Sequence, residues 1–182
     1  LLVLLITLTN IARNSMHHYT KKLEQVKNVS DIFAIVKDAV METIGDSRAG
    51  LNLGLMDMGN PPHNWLGAFY PVGSNVIVMN KTPLRRIIET EPALMKPYMF
   101  HVLLHEYLHS LGFVDERSCR LLTYNICRKV LGNKHIATEM SKDISKFMPY
   151  IAYPGGFPQI DKDINDIEII EDFDKENEIY IG

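Results

Sequence analysis

The stretch HVLLHEYLHSLGFVDE, residues 101–116, carries three histidines at four-residue intervals, with a glutamate directly after the second. On a helix, His105 and His109 are one turn apart and point the same way. Two imidazole nitrogens on one face suit a Zn2+ ion, whose bonds to nitrogen are about 2.0–2.1 Å long. Glu106 then stands beside the ion without ligating it, where a general base belongs. The chemistry implied is metal-assisted hydrolysis. The ion polarises the scissile carbonyl and acidifies a water, and Glu106 takes the water's proton and passes it to the leaving amine. In a chain of this composition the pattern His-Glu-x-x-His arises by chance in roughly two sequences in a hundred. Requiring a glycine three residues after the second histidine lowers that to about one in a thousand, so a surface helix with a histidine stripe is the weaker reading.

A third ligand is harder to find. His101 shares the helical face but lies one more turn away, about 6 Å further along the axis. A tetrahedral ion does not readily take three ligands strung along one straight helix. His101 is therefore assigned a supporting role. Gly112 can adopt a left-handed conformation, end the helix and swing the chain back. Asp115 would then reach the ion, while its neighbour Glu116 is expected to point elsewhere.

HEYLHSLGFVD resembles the metzincin signature H-E-x-x-H-x-x-G-x-x-H, with aspartate in the last position as in the snapalysin group. The resemblance implies a zincin-like α+β fold, a zinc metallopeptidase activity, His105, His109 and Asp115 as zinc ligands, and Glu106 as base. Metzincins also place a methionine turn beneath the metal. KFMPYIAYP supplies Met148 as the candidate, with Met140 as its rival. Tyr150, two residues after Met148, resembles the tyrosine of the M-x-Y pattern in astacin- and serralysin-like members, where it stabilises the oxyanion; this implies a catalytic role for Tyr150. The match covers about a dozen residues and this turn, and two alternatives stand beside it. One is a gluzincin-like peptidase with a glutamate third ligand such as Glu116 or Glu139. The other is a non-catalytic zinc-binding interaction module, against which the intact Glu106 argues.

Something must hold these residues. A first helical region runs to about Val26. Ser30 reads as the N-cap of a second helix closed by Gly45. AGLNLGLMDM alternates with Leu51, Leu53 and Leu55 on one side, as a half-buried strand does. WLGAFYPV and NVIVMN read as two strands joined through Gly73 and Ser74. Pro71 makes the first of them an edge strand or marks a strand end; as an edge it could receive an extended substrate, with Gly67 and Ala68 leaving room for its backbone. Thr82 and Pro83 open a short helix, and Pro97 opens the helix that Gly112 closes. Further helices follow, one ending at Gly132. The expected fold is α+β, a small mixed sheet packed on helices, with the HExxH helix at the active site.

The 182 residues suffice for one hydrophobic core. Residues 1–160 are expected to form a single catalytic domain and 161–182 an acidic tail. The tail holds nine acidic residues and two lysines, a net −7, which leaves +4 on the body of a chain whose total is −3. It reads first as a solvated end; docking on the basic body or lying across the cleft are the alternatives. The charge argues against a nucleic-acid partner, and the expected partner is a peptide or protein substrate acting on a monomer. Cys119 and Cys127 lie too far apart on one helix for a disulfide and are read as packing residues, which favours a reducing compartment. The apolar start, LLVLLITLTNIA, is too short to span a bilayer. It reads either as a core-facing helix or as the end of a truncated signal or anchor, the only route to a membrane. Asn28 heads a formal glycosylation triplet, taken as fortuitous.

Overall fold

A computed structural model describes residues 2–60, 65–156 and 166–174, with side chains from Asn14 onward. The described residues form an α+β fold of seven helices and a mixed four-stranded sheet. Two helices come first, α1 (Leu2–Gln25) and α2 (Val29–Ile44). The strands β1 (Asn52–Met56), β2 (Ala68–Phe69) and β3 (Val76–Asn80) follow. Then come α3 (Lys81–Thr90), α4 (Met95–Ser110), α5 (Glu116–Leu131), α6 (Ile136–Lys142), α7 (Met148–Ile151) and β4 (Glu168–Ile170). The sheet order is β2-β3-β1-β4, with β1 and β3 parallel and both outer strands antiparallel to their neighbours.

Local rules account for these elements, with two shifts. Helix α2 is capped by Asn28, whose Oδ1 accepts from the Asp31 N–H at 2.9 Å, rather than by Ser30. The asparagine of the glycosylation triplet is thus spent inside the fold as a cap. Asn80, not Thr82, caps α3 and does more besides. Its Oδ1 accepts from the Met58 and Thr82 N–H groups, and its Nδ2 donates to the Gly59 and Leu66 carbonyls. One buried amide therefore satisfies all its hydrogen-bonding capacity and fixes the segment leading into β2. The alternation around β1 places Leu51 and Leu53 in the core.

The sheet packs against a helical layer whose centre is α4. Tyr98, Phe100, Leu103, Leu104, Tyr107 and Leu108 of α4 are fully buried. This helix is covered on almost every side, as a helix apolar all round must be. No helix among the described residues is long and apolar enough to cross a membrane.

The expected solvated tail is drawn differently. Residues 166–174 join the fold: β4 pairs with β1, and Phe173 stacks on Phe33 with ring centroids 4.2 Å apart. Asp174, 3% exposed, pairs with buried Lys37 at 2.8 Å and accepts from the Gly50 N–H at 3.1 Å. Net charge marks a segment as soluble, but a single aromatic and a paired acid at its centre dock it. The remaining tail residues, 161–165 and 175–182, lie outside the described residues, as does His63.

Candidate metal centre

Helix α4 brings His101, His105, Glu106 and His109 into one stretch, and the chain after it completes the group. The α4 backbone ends at Ser110, and Gly112 adopts φ +100°, a conformation that favours glycine. The reversal brings the Phe113 carbonyl back to His109, which donates to it from Nδ1 at 2.8 Å. That bond fixes the tautomer and leaves the Nε2 lone pair facing outward. His105 Nε2 lies 3.1 Å from His109 Nε2.

Beyond the turn the structure parts from the Asp115 expectation. Asp115 is the N-cap of α5: its Oδ2 accepts from the Ser118 N–H at 2.8 Å, and the residue is exposed. The bonds to Ser118 hold its carboxyl below the usual range. A carboxylate committed to a helix cap does not reach the histidines. Glu116, the first residue of α5, does. Its Oε1 lies 3.4 Å from His105 Nε2 and its Oε2 3.2 Å from His109 Nε2. Partial burial pushes Glu116 upward, but His105, Arg120 and His109 together outweigh it and hold its carboxylate below the usual range. Arg120, one turn on, donates to Glu116 Oε1 at 2.7 Å.

These three donors satisfy a simple test for a single ion. Ligands about 2.0–2.2 Å from one metal at tetrahedral angles lie about 3.3–3.5 Å from one another. The separations here, 3.1, 3.4 and 3.2 Å, approach one face of that tetrahedron. Two imidazoles and one carboxylate are a donor set that several first-row divalent ions, zinc and iron among them, accept.

Glu106 is 6% exposed and lines the same cavities as His105 and Glu116. Burial pushes its carboxyl up to about 8, and Glu116 adds to the rise, while the nearby Tyr70 backbone opposes the shift. The metal-free protein therefore holds Glu106 largely protonated near neutral pH, and a cation beside it would favour the charged form.

Comparison with family profiles, with curated proteins and with solved structures gave no match. The functional reading rests on this geometry and on the motif.

The other expected residues divide. His101 takes a supporting place: burial pushes it down to about 3, so it is neutral, and its Nδ1 lies 3.0 Å from Ser141 Oγ. Met148 opens α7 and packs on the core, but it lines neither cavity at the site. Met140, 1% exposed, lines the larger one beside His101 and His105. Tyr150 is 42% exposed and also lines neither. The reason is that α7 is tied to α3, through Thr90 Oγ1 donating to the Tyr150 carbonyl at 2.9 Å and Arg86 donating to the Pro149 carbonyl.

Cys119 is the residue that the packing interpretation undervalues. Its Sγ lies 3.7 Å from His105 Nδ1, on the far side of the ring from Glu116, and 3.4 Å from the His105 carbonyl. Cys119, His105 and His109 form a cluster that could hold a metal. Burial pushes the thiol up to about 12, so in the metal-free protein it is a neutral partner that orients the imidazole. The signal in the sequence was its place three residues after Glu116, on the same face of α5. Cys127 is buried and unpaired, and it accepts from Ser141 Oγ.

Two cavities flank the site along β2. The larger, about 350 Å3, has Val102, Met140 and Ile144 among its walls and Arg120 and Lys142 beside them. The smaller, about 270 Å3, is walled by Phe69, Val72 and Val114. As expected, β2 is an edge strand: among the described residues it pairs only with β3. Gly67 is also closely packed. A Cβ there would come within 2.9 Å of Tyr98 Oη and 3.0 Å of the Trp65 ring, so close packing against these two side chains also favours glycine.

Proposed function

We propose that this chain is a zinc-dependent peptidase of zincin-like architecture, with His105, His109 and Glu116 as metal ligands and Glu106 as general base. The observation that carries this is the near-equal spacing of three donors from two helices, with a buried carboxyl beside them. A glutamate third ligand from the helix after HExxH favours the gluzincin-like alternative over the aspartate variant of the metzincin signature. A short antiparallel edge strand facing the HExxH helix agrees with either.

When bound, the ion supplies Lewis-acid polarisation of the scissile carbonyl and acidification of a water. His105 and His109 offer neutral Nε2 lone pairs, oriented by Cys119 and by the Phe113 carbonyl. Glu116 supplies one negative charge. Glu106 takes the water's proton onto its carboxylate and delivers it to the leaving amine nitrogen. An extended peptide pairs with the free edge of β2, its side chains entering the two flanking cavities.

Metal analysis combined with peptide cleavage tests this. Wild-type protein is expected to bind one zinc and cleave an unstructured peptide substrate. Glu116→Ala should lose the metal, Asp115→Ala should keep it, and Glu106→Gln should keep it without cleaving. Stoichiometric zinc in Glu116→Ala would overturn the ligand set. Equal cleavage by wild type and Glu106→Gln would overturn the mechanism. Zinc binding with no cleavage of any peptide would favour the interaction module.

A further inference from the structure

The edge strand that would receive substrate is short. Only Ala68 and Phe69 pair with β3, and a two-residue strand gains little from its ladder. Both of its ends are tied down from elsewhere. On the upstream side, Asn80 donates from Nδ2 to the Leu66 carbonyl and from its main chain to the Gly67 carbonyl, at 2.8 and 2.9 Å. On the downstream side the tie is Arg48, a residue of the α2–β1 loop that motif reading passes over.

Arg48 Nη1 donates to Tyr70 Oη at 2.6 Å and to the Ser110 carbonyl at 3.0 Å. Its Nη2 donates to the Ser74 carbonyl at 2.7 Å, an oxygen that also accepts from Tyr70 Oη at 2.7 Å. The guanidinium lies over the Tyr70 ring, 5.5 Å from its centroid. The Arg48 main chain donates to Tyr107 Oη at 2.8 Å and accepts from it at 3.2 Å. One guanidinium thus joins the β2–β3 hairpin to the last turn of α4: Nη1 bonds both, and Nη2 adds a second bond to the hairpin. The carbonyl of Ser110, the final residue of α4, has no partner within its helix, and a cation there also suits the helix dipole. Among the described residues the guanidinium faces carbonyl and phenol oxygens and no carboxylate. Its place is therefore set by geometry across the cleft, not by an ion pair.

The consequence falls on Glu106, because Tyr70 and Glu106 line the same cavity beside His105, His109 and Glu116. We propose that Arg48 is a positioning residue that clamps the substrate-binding edge strand to the end of the metal-bearing helix, and so holds Tyr70 against Glu106 and sets the width of the cleft. This rests on the peptidase reading for its catalytic consequence but not for the clamp itself.

The test compares Arg48→Met, Arg48→Lys and Tyr70→Phe in the full chain loaded with zinc. Three readouts apply: amide exchange at Tyr70, zinc affinity, and kcat and KM for an unstructured peptide. In Arg48→Met, exchange at Tyr70 should rise about tenfold or more as the hairpin opens locally. Zinc affinity should change less than about threefold, since no ligand is touched. Because an ångström of misplacement is costly, kcat should fall about tenfold or more. Lysine has no fork to span two segments, so Arg48→Lys should resemble Arg48→Met. Tyr70→Phe removes only the phenol contact and should shift exchange the same way by less; it stands in if Arg48→Met fails to fold. Unchanged Tyr70 exchange in Arg48→Met, or in Tyr70→Phe where only that variant folds, overturns the clamp. Full recovery in Arg48→Lys also overturns it, because a charge at the helix end would then suffice. If the wild type cleaves no peptide, the peptidase reading fails separately, and the exchange data still decide the clamp.

Discussion

Glu106 makes a prediction that needs no substrate. Its carboxyl rises from the usual 4.5 to about 8, chiefly by burial. The unfolded chain ionises this group near the usual value, while the folded, metal-free protein keeps it protonated until about pH 8. Across that window the unfolded state binds fewer protons, so stability falls as pH rises. At about 1.4 kcal/mol per unit the full penalty approaches about 5 kcal/mol, of which about 2 kcal/mol develops between roughly pH 6 and pH 8. Glu106→Gln removes the titration and keeps the shape. Stripped of metal with chelator, wild type should lose about 2 kcal/mol relative to the variant over that interval, measured by urea unfolding. The depressed histidines His101 and His105 act in the opposite direction. They are present in both proteins and cancel in the difference. Added zinc should erase most of the gap, because a neighbouring cation favours the charged carboxylate. Parallel stability curves for the two metal-free proteins would refute the claim that burial holds Glu106 protonated.

Other consequences can be checked singly. Cys119→Ser should keep stoichiometric zinc with weakened affinity, and the cobalt-substituted wild type should show no thiolate-to-metal absorption; a strong band would make Cys119 a ligand. Asp115→Ala should lower the melting temperature modestly through loss of the α5 cap while zinc content stays at one per chain. Lys37→Met removes the cation paired with buried Asp174 and should cost about 3–5 kcal/mol in unfolding free energy, whereas a cost near zero would mean that the 166–174 segment is not docked in solution. Phe173→Ala should cost a similar amount, about 3–5 kcal/mol, by emptying its stack on Phe33.

Much of the site was legible because it is local. His105, Glu106 and His109 belong to one helix, and a helix of known period decides which of its residues share a face. The same holds for the end of β2, which stops before Pro71, and for the left-handed turn at Gly112. Reading failed wherever neighbours competed for one role. Asp115 and Glu116 are adjacent carboxylates after the same turn, and only one can cap α5 while the other faces the histidines. The Asp-x-x-Ser spacing that ends in Ser118 was the cue that the aspartate was already committed. Met140 and Met148 posed the same problem at longer range. The choice between them depends on α7 being tied to α3, which no spacing encodes.

The sequence by itself therefore determined the shared helical face of His105 and His109, the place of Glu106 beside them and the need for a turn, since each follows from the conformational preferences of a few consecutive residues. The approach of Glu116 to the two histidines, the Arg48 bonds to Tyr70, Ser74 and Ser110, the place of Cys119 beside His105 and the docking of Phe173 and Asp174 were decided by tertiary structure. They join segments distant in sequence or choose between equivalent neighbours. Such choices are made by packing, where burying one side chain and satisfying another's hydrogen bonds select among arrangements that local preference leaves equal.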